Sequence, residues 1–224
     1  MFVSQNRVKT NLQIQQAVPI KSDFFDFLQK YGFYVEENLV TDKICGRVNV
    51  QQQMGPIRMN VPMEYPLLPI IRSFNEKESI VSGLEQMQLI FPSEIKQDSN
   101  SFDNVEFTPL FFTSKESGEL KGSYNLSPDP QQNPFLKMFG QQGKAIAVTS
   151  RLNSGGELML ISDSRFLSDE GGMSIPDNIV FIMNTVDYLA GDKDLISLRS
   201  REITSRPLDI LGLTDQEEAS ISQD

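Results

Sequence analysis

The chain reads as an α/β protein, one mixed β-sheet with covering helices in an open-sheet, Rossmann-like or flavodoxin-like architecture. Three observations predict this. Residues 144–150 and 157–163 carry apolar side chains on both faces (Ala145, Ile146, Ala147, Val148; Leu158, Met159, Leu160, Ile161), as strands buried beneath helices do. Residues 175–190 repeat apolar side chains at helical spacing. Strand-like and helix-like stretches are interspersed along the chain, which leads to layers of both.

Residues 1–8 form an apolar strand candidate, and residues 11–16 a polar connection. A first helix follows, with Ser22 as N-cap, an apolar face of Phe24, Phe25, Phe27 and Leu28, and Gly32 as a left-handed stop. Residues 33–35 are extended. In residues 45–51 Val48 and Val50 alternate with Arg47 and Asn49, the pattern of a half-buried strand. Between 52 and 74, Gly55, Pro56, Pro62, Pro66 and Pro69 remove donors or fix turns, so short irregular strands are expected. Residues 80–83 read as a helical turn, 87–91 as a strand ended by Pro92, 97–104 as a polar loop and 105–113 as a strand. Residues 114–133, rich in Gly, Ser, Pro, Asp and Gln, form the longest expected loop, mobile alone and ordered by a partner or glycan. Phe135, Leu136, Met138 and Phe139 then read as a short helix that either packs into the core, the weightier reading, or stays partly exposed as a docking patch.

Asn153-Ser154-Gly155-Gly156 turns the two buried strands into an antiparallel hairpin. In the helix over 175–190, Ser174 is the N-cap, Asp177 completes a capping-box-like start, and Ile175, Ile179, Ile182, Val186 and Leu189 are the buried stripe. Gly191 stops it, and residues 195–201 return as a strand. Residues 1–213 are thus one domain with a looser strand- and loop-rich sub-region at 52–133, and 214–224 are a polar tail.

At 224 residues and 39% hydrophobic content the chain can bury a real core. A net charge of -10 argues against a phosphate-binding surface, so nucleic acid is not an expected partner. The surplus carboxylates read as a solubilising surface. With Cys45 alone and no histidine, there is no intramolecular disulfide, thiolate cluster, Cys–His pair, Ser-His-Asp triad or usual zinc site. No metal and no cofactor is expected. Neither a Walker loop nor a twelve-residue calcium loop occurs, and no stretch has the apolar length of a membrane span. The opening Met1-Phe2-Val3-Ser4-Gln5 does not read as a secretory signal, and the sequence reads as a soluble region of a longer protein whose other parts can include membrane anchors.

Asp163-Ser164-Arg165-Phe166 places a carboxylate, a hydroxyl and a cation at a strand end, where ligands collect in open α/β sheets. The same residue types also satisfy loose backbone donors, and that structural role carries the greater weight. Asn184 lies towards the buried side of its helix, to tie a loop or face a pocket. Glu36, Glu37, Asp42, Asp187, Asp192 and Asp194 supply carboxylates without a specific acid/base or calcium spacing. Arg199, Arg201 and Arg206 read as a solvated face or an ion-pair set, with a juxtamembrane role if a membrane helix follows.

Three segments carry a family resemblance. They are "LQKYGFYVEENLVTD" at 28–42, with the 45–51 strand and "YPLLPII" behind it; "TPLFFTS" at 108–114, ending on Thr113 and Ser114; and "LMLISDSRFLSD" with "NTVDYLAGDKDLISLRSREITSRPL". In order and spacing they resemble the auxiliary, gliding-motility-type component of ABC transporters. That resemblance implies a non-catalytic extracytoplasmic module on the periplasmic face of the cell membrane. It implies a parent chain anchored by membrane helices, with the permease and ATPase as separate partners. The module also resembles a domain of intraflagellar-transport proteins, which implies a sugar as ligand; a carbohydrate- or peptide-binding module is the alternative reading, and an α/β hydrolase- or amidotransferase-like enzyme, against which the missing histidine and nucleophile elbow weigh, is the third. Thr113, Ser114, Asp163, Ser164, Arg165, Phe166 and Asn184 are the candidate ligand or partner contacts. Ser162 and Arg165 depart from the small and acidic residues common in such turns.

Overall fold

A computed structural model describes residues 1–54, 57–99, 105–140, 142–169 and 171–204. The chain opens with β1 (Phe2–Ser4), the hairpin β2 (Val8–Asn11) and β3 (Gln16–Pro19), and α1 (Phe24–Lys30). β4 (Phe33–Val35), β5 (Asn38–Asp42), β6 (Cys45–Met54), β7 (Ile57–Ile71) and β8 (Ser73–Phe74) follow. After a 3-10 turn at Ser79–Val81 come β9 (Met87–Gln88), β10 (Ile95–Gln97), β11 (Val105–Phe112) and β12 (Ser117–Lys121). A second 3-10 turn, Pro134–Lys137, leads to β13 (Ala145–Leu152) and β14 (Glu157–Ile161). A third, Gly172–Ser174, leads to α2 (Pro176–Ala190) and α3 (Lys193–Thr204).

The main sheet has the order β1-β14-β13-β11-β8. β1 runs parallel to β14, and the other pairings are antiparallel. The sheet is therefore mixed, as expected. A Rossmann-like or flavodoxin-like sheet is built from parallel strands with helical crossovers, and this one is built mostly from antiparallel pairings. Smaller pairings, β4 with β10, β5 with β12, β2 with β3, and β6-β7-β9, surround it. One apolar cluster, with Phe111, Met159, Phe166 and Phe181, packs α2 on the sheet. A second lies around Phe25, Phe33, Val148 and Leu160, and a third around Leu39, Tyr65, Leu67 and Leu136.

Several elements stand as the sequence predicts. Gly32 and Gly191 stop their helices at φ +87° and +85°, a conformation that costs glycine nothing. β13 and β14 form the predicted antiparallel hairpin, with Gly155 at φ +91° in its turn. The capping expectations differ in detail. Asp23, not Ser22, is the N-cap of α1, although the Ser22 hydroxyl accepts the Phe24 N–H at 3.2 Å. Ile175 is the N-cap of α2, while the Ser174 hydroxyl donates to the Gly171 carbonyl and Asp177 accepts the backbone N–H groups of Glu85 and Gln86.

Four expectations are overturned. Residues 195–201 belong to α3 rather than a strand, because the turn at Gly191 folds them back on α2, where Ile196 is buried and Arg199 pairs with Asp187 at 2.5 Å. The fully buried stripe of α2 is Asn178, Phe181, Asn184, Thr185 and Tyr188; of the expected stripe Ile182 and Leu189 do pack against the core, partly buried, whereas Ile179 and Val186 are 38% and 59% exposed. The region 52–74 is dominated by the fifteen-residue β7. Pro62 lies opposite Asn49 and Pro69 opposite Cys45, on either side of a register shift, so the strand runs through its prolines. Residues 114–133 are not a structureless loop: β12 pairs with β5 from Ser117↔Asp42 to Lys121↔Asn38, and Tyr124, Leu126 and Asn133 are buried. Phe135, Leu136 and Met138 split, Leu136 entering the core while the other two stay exposed. The expected loop at 97–104 lies partly outside the described residues, as do the tail at 214–224 and Arg206.

Candidate functional site

The chain leaves the main sheet at the end of β14 through Ser162, Asp163, Ser164, Arg165 and Phe166. Ser162 is buried and donates to the carbonyl oxygens of Ser93 and Ile146. Asp163 is completely buried. Its Oδ2 accepts the Ile90 N–H at 2.7 Å, its Oδ1 accepts the Arg165 N–H at 2.8 Å, and its carbonyl accepts the Ser4 hydroxyl. Burial pushes its carboxyl up to about 6, against the pull of the two N–H bonds and of Arg165. Ser164 is exposed, and Phe166 packs edge-on to Phe181 in the core.

Arg165 faces outward. Its guanidinium lies 5.6 Å from the centre of the Phe91 ring and donates to the Thr10 hydroxyl at 3.3 Å. It borders a groove of about 450 Å³ formed with the β2–β3 hairpin, whose walls include Lys9, Leu12, Ile14 and Val18. Phe91 itself has φ +55°, a left-handed backbone that a bulky residue rarely adopts. Bonds from Asn6 to its carbonyl and from its N–H to Leu67 hold it there.

The remaining predicted residues lie elsewhere and are tied into the fold. Thr113 is buried and its hydroxyl accepts the Lys144 N–H at 2.8 Å. Ser114 gives both its N–H and its hydroxyl to Asp42, whose carboxyl burial pushes up. Asn184 donates to the carbonyls of Ile80 and Ser82 and accepts from Arg199. Glu36 is held below the usual carboxylate range by Lys96 and Lys121, which outweigh its desolvation, and Glu37 pairs with Arg7. Asp187 and Asp192 are engaged in and around α2 and α3, where Asp194 also lies. The six carboxylates are therefore dispersed. Among the described residues no His, Cys, Asp or Glu group of three or more is placed to hold a metal, and no helix is long and apolar enough to cross a membrane.

Sequence reasoning missed Thr10, the hairpin wall and Phe91. The hairpin lacks an Asn-Gly or Gly turn, and Gln15 takes the positive φ (52°) instead. The Phe91-Pro92 step is the one local signal for the strained backbone, since a residue before proline is already restricted.

A family model described as "ABC-type uncharacterized transport system" matches residues 1–185. The chain belongs to that family. That family is one of ABC-type transport systems. An uncharacterized protein of Borreliella burgdorferi is 23% identical over 221 residues, covering 92% of this chain and 42% of that protein. The chain thus spans less than half the length of that relative. Among solved structures, the "mmIFT52 N-terminal domain" matches at 11% identity with a TM-score of 0.45, over 75% of this chain and 57% of that one.

Proposed function

We propose that this family member is a non-catalytic, extracytoplasmic accessory module of a gliding-motility-type ABC transport system, acting by docking to its membrane partners or cargo. Family membership supports the transport setting. The observation that carries the docking role is the division of labour at the end of β14. Asp163 is the group there with a raised proton affinity, yet it is sealed from solvent with both oxygens committed to backbone N–H groups. A general acid must reach the proton it moves, and this one reaches no groove. Arg165, in contrast, has no ion-pair partner among the described residues and borders open space. The site is equipped to hold a group, not to transform one. Burial also pushes the Cys45 thiol up, away from the nucleophilic thiolate.

The groove favours an acidic peptide segment over a sugar as its occupant. Lys9 and Arg165 offer cations beside Leu12, Ile14 and Val18, and among the described residues no aromatic ring lines it for a sugar to stack on. The test of the main reading is affinity capture of the natural full-length protein from detergent-solubilised membranes of its own cells. A permease and an ATPase should co-purify in fixed ratio. Recovery of the protein without either subunit would overturn the assignment.

A further inference from the structure

The β2–β3 hairpin has one covered edge and one open edge. Ala17 on β3 donates its N–H to the Tyr124 carbonyl at 3.1 Å, and the Gln15 carbonyl accepts the Leu126 N–H at 2.9 Å. The stretch from Tyr124 to Leu126 thus lies against β3 as a third strand would, with Gln16 bridged to Asn125. Along an antiparallel pair, residues turn their main-chain groups alternately towards the partner strand and away from it. Ala17 points away from β2, so its cross-strand partner Thr10 points away from β3. The Thr10 N–H and C=O therefore lie on the outer edge of β2. Among the described residues β2 pairs with β3 alone, and that edge has no strand beside it.

The same edge carries the cation of the docking groove. Arg165 donates to the Thr10 hydroxyl at 3.3 Å, so its guanidinium stands on the hairpin face that bears the Thr10 side chain. The Phe91 ring, 5.6 Å from the guanidinium carbon, helps to fix it there. Two residues along the same face is Leu12, which is 49% exposed. Thr10, Leu12 and Arg165 all line the groove. From Gln5 to Ser22 the sequence holds Arg7, Lys9 and Lys21 and no carboxylate, a basic strip on a chain of net charge -10. Arg7 is paired with Glu37, which leaves Lys9 and Arg165 to an incoming anion.

We propose that the groove takes an extended acidic peptide as an added strand on the outer edge of β2, its main chain bonded to Thr10 and one carboxylate held by Arg165. This rests on the docking role proposed above and specifies its mode. The planar fork of a guanidinium matches a carboxylate, and an unpaired strand edge matches a peptide main chain. Leu12 calls for an apolar side chain two positions from the acid, on the same face of the added strand. A neutral sugar supplies no carboxylate, and a free anion supplies no strand. The phosphates of a nucleic acid would meet repulsion from the acidic body.

The test is fluorescence anisotropy of the full chain with a labelled peptide of repeating Glu-Thr-Val-Thr and with its lysine-for-glutamate counterpart. The wild type should bind the acidic peptide about tenfold or more tightly than the basic one, Arg165→Gln should weaken that binding about tenfold, and Arg165→Lys should recover only part of the loss. Thr10→Pro removes an N–H that the β2–β3 ladder does not use and keeps Lys9 extended, as it already is. It should bind about fivefold or more weakly than Thr10→Val, which loses only the hydroxyl. Lys115→Gln, an exposed cation outside the groove, should stay within about twofold of the wild type. Unchanged circular dichroism and melting verify the fold of each variant. Amide exchange at Thr10 in the wild type should slow when the peptide binds, which reads the main-chain bond without a substitution. The proposal is overturned by a wild type that binds neither peptide or both alike, by equal losses for Lys115→Gln and Arg165→Gln, by unchanged exchange at Thr10, or by inorganic phosphate that displaces the peptide at equal concentration. Co-purification of a permease and an ATPase with a chain that fails these tests would leave the transport assignment standing and remove the strand-addition mode alone.

Discussion

Asp163 Oδ2 accepts the backbone N–H of Ile90 at 2.7 Å, joining the end of β14 to a segment 73 residues away in sequence. Because burial raises this carboxyl to about 6, the folded state holds its proton more tightly than the unfolded chain, whose value stays near 3.8. Stability from this group is therefore fully present below about pH 4 and is lost as pH rises towards about 6, by up to about 3 kcal/mol. Glu36, held low against its burial by Lys96 and Lys121, and Glu119, held low against its burial by the Asn38 amide and then by Lys144 and Lys121, act in the opposite sense, their contribution falling away as pH drops below the ordinary glutamate range. Asp163→Asn should flatten the dependence between pH 4 and 6 and cost about 1–3 kcal/mol, since an amide has one acceptor oxygen for two N–H donors. Urea midpoints measured across that pH range check it. An unchanged slope in the variant would assign the titration to another group.

Phe181 and Val186 separate the two faces of α2. Phe181 is fully buried between Phe111 and Phe166, with ring centres at 5.3 and 5.9 Å. Phe181→Ala should cost about 3–5 kcal/mol, as large cavities in aromatic cores do. Val186→Ala should stay within about 0.5 kcal/mol, because its side chain already meets water. Equal losses for the two in denaturant melts would restore the stripe expected from periodicity.

That stripe shows where sequence pattern stops being informative. Ile179, Ile182 and Val186 have the right spacing, and so do Asn178, Phe181, Thr185 and Tyr188 one position away. Periodicity ranks faces by hydrophobicity, and here the core-facing stripe includes amides and a hydroxyl with specific partners: Asn178 with Gln88, Asn184 with Ile80, Thr185 with Phe181. The β13–β14 hairpin was legible because its residues are apolar on both faces and its turn contains glycines. β12 was not, since Ser117-Gly118-Glu119-Leu120-Lys121 has weak strand propensity and owes its place to β5. At the candidate site, Asp163 and Arg165 were legible as residue types. Their opposite orientations, one sealed and one facing a groove, depend on β1, β2 and Phe91, which are distant in sequence.

Gly118 tests whether the region read as a mobile loop is packed. A Cβ built there would lie 2.1 Å from the Met138 carbonyl oxygen and 2.9 Å from Thr41 Oγ1. The first obstacle is backbone and cannot rotate away. Gly118→Ala should therefore displace the segment after the 3-10 turn at Pro134–Lys137 and destabilise the chain by about 1–3 kcal/mol, in the range of overpacked cores. Hydrogen exchange at Gly140, whose N–H bonds to the Ser117 carbonyl, should accelerate in the variant. Wild-type exchange there as fast as in an unfolded chain would show that the contact does not form.

Asn184 joins three elements, and its removal gives the sharpest prediction. Its amide donates to the carbonyls of Ile80 at 3.1 Å and Ser82 at 3.2 Å, which anchors the 3-10 turn at Ser79–Val81 to α2. Its oxygen accepts from Arg199 on α3, and the same guanidinium binds Asp187. Asn184→Leu keeps the volume but strands a buried carbonyl and removes one acceptor from Arg199, so about 2–4 kcal/mol should be lost. Arg199→Ala alone should cost less, because Asp187 retains access to water. The double variant should be less destabilised than the sum of the two by about 0.5 kcal/mol or more, since both changes break the same bond. Strict additivity in that cycle would mean that Arg199 serves Asp187 alone and that α3 is held on α2 by Ile196 and its apolar neighbours.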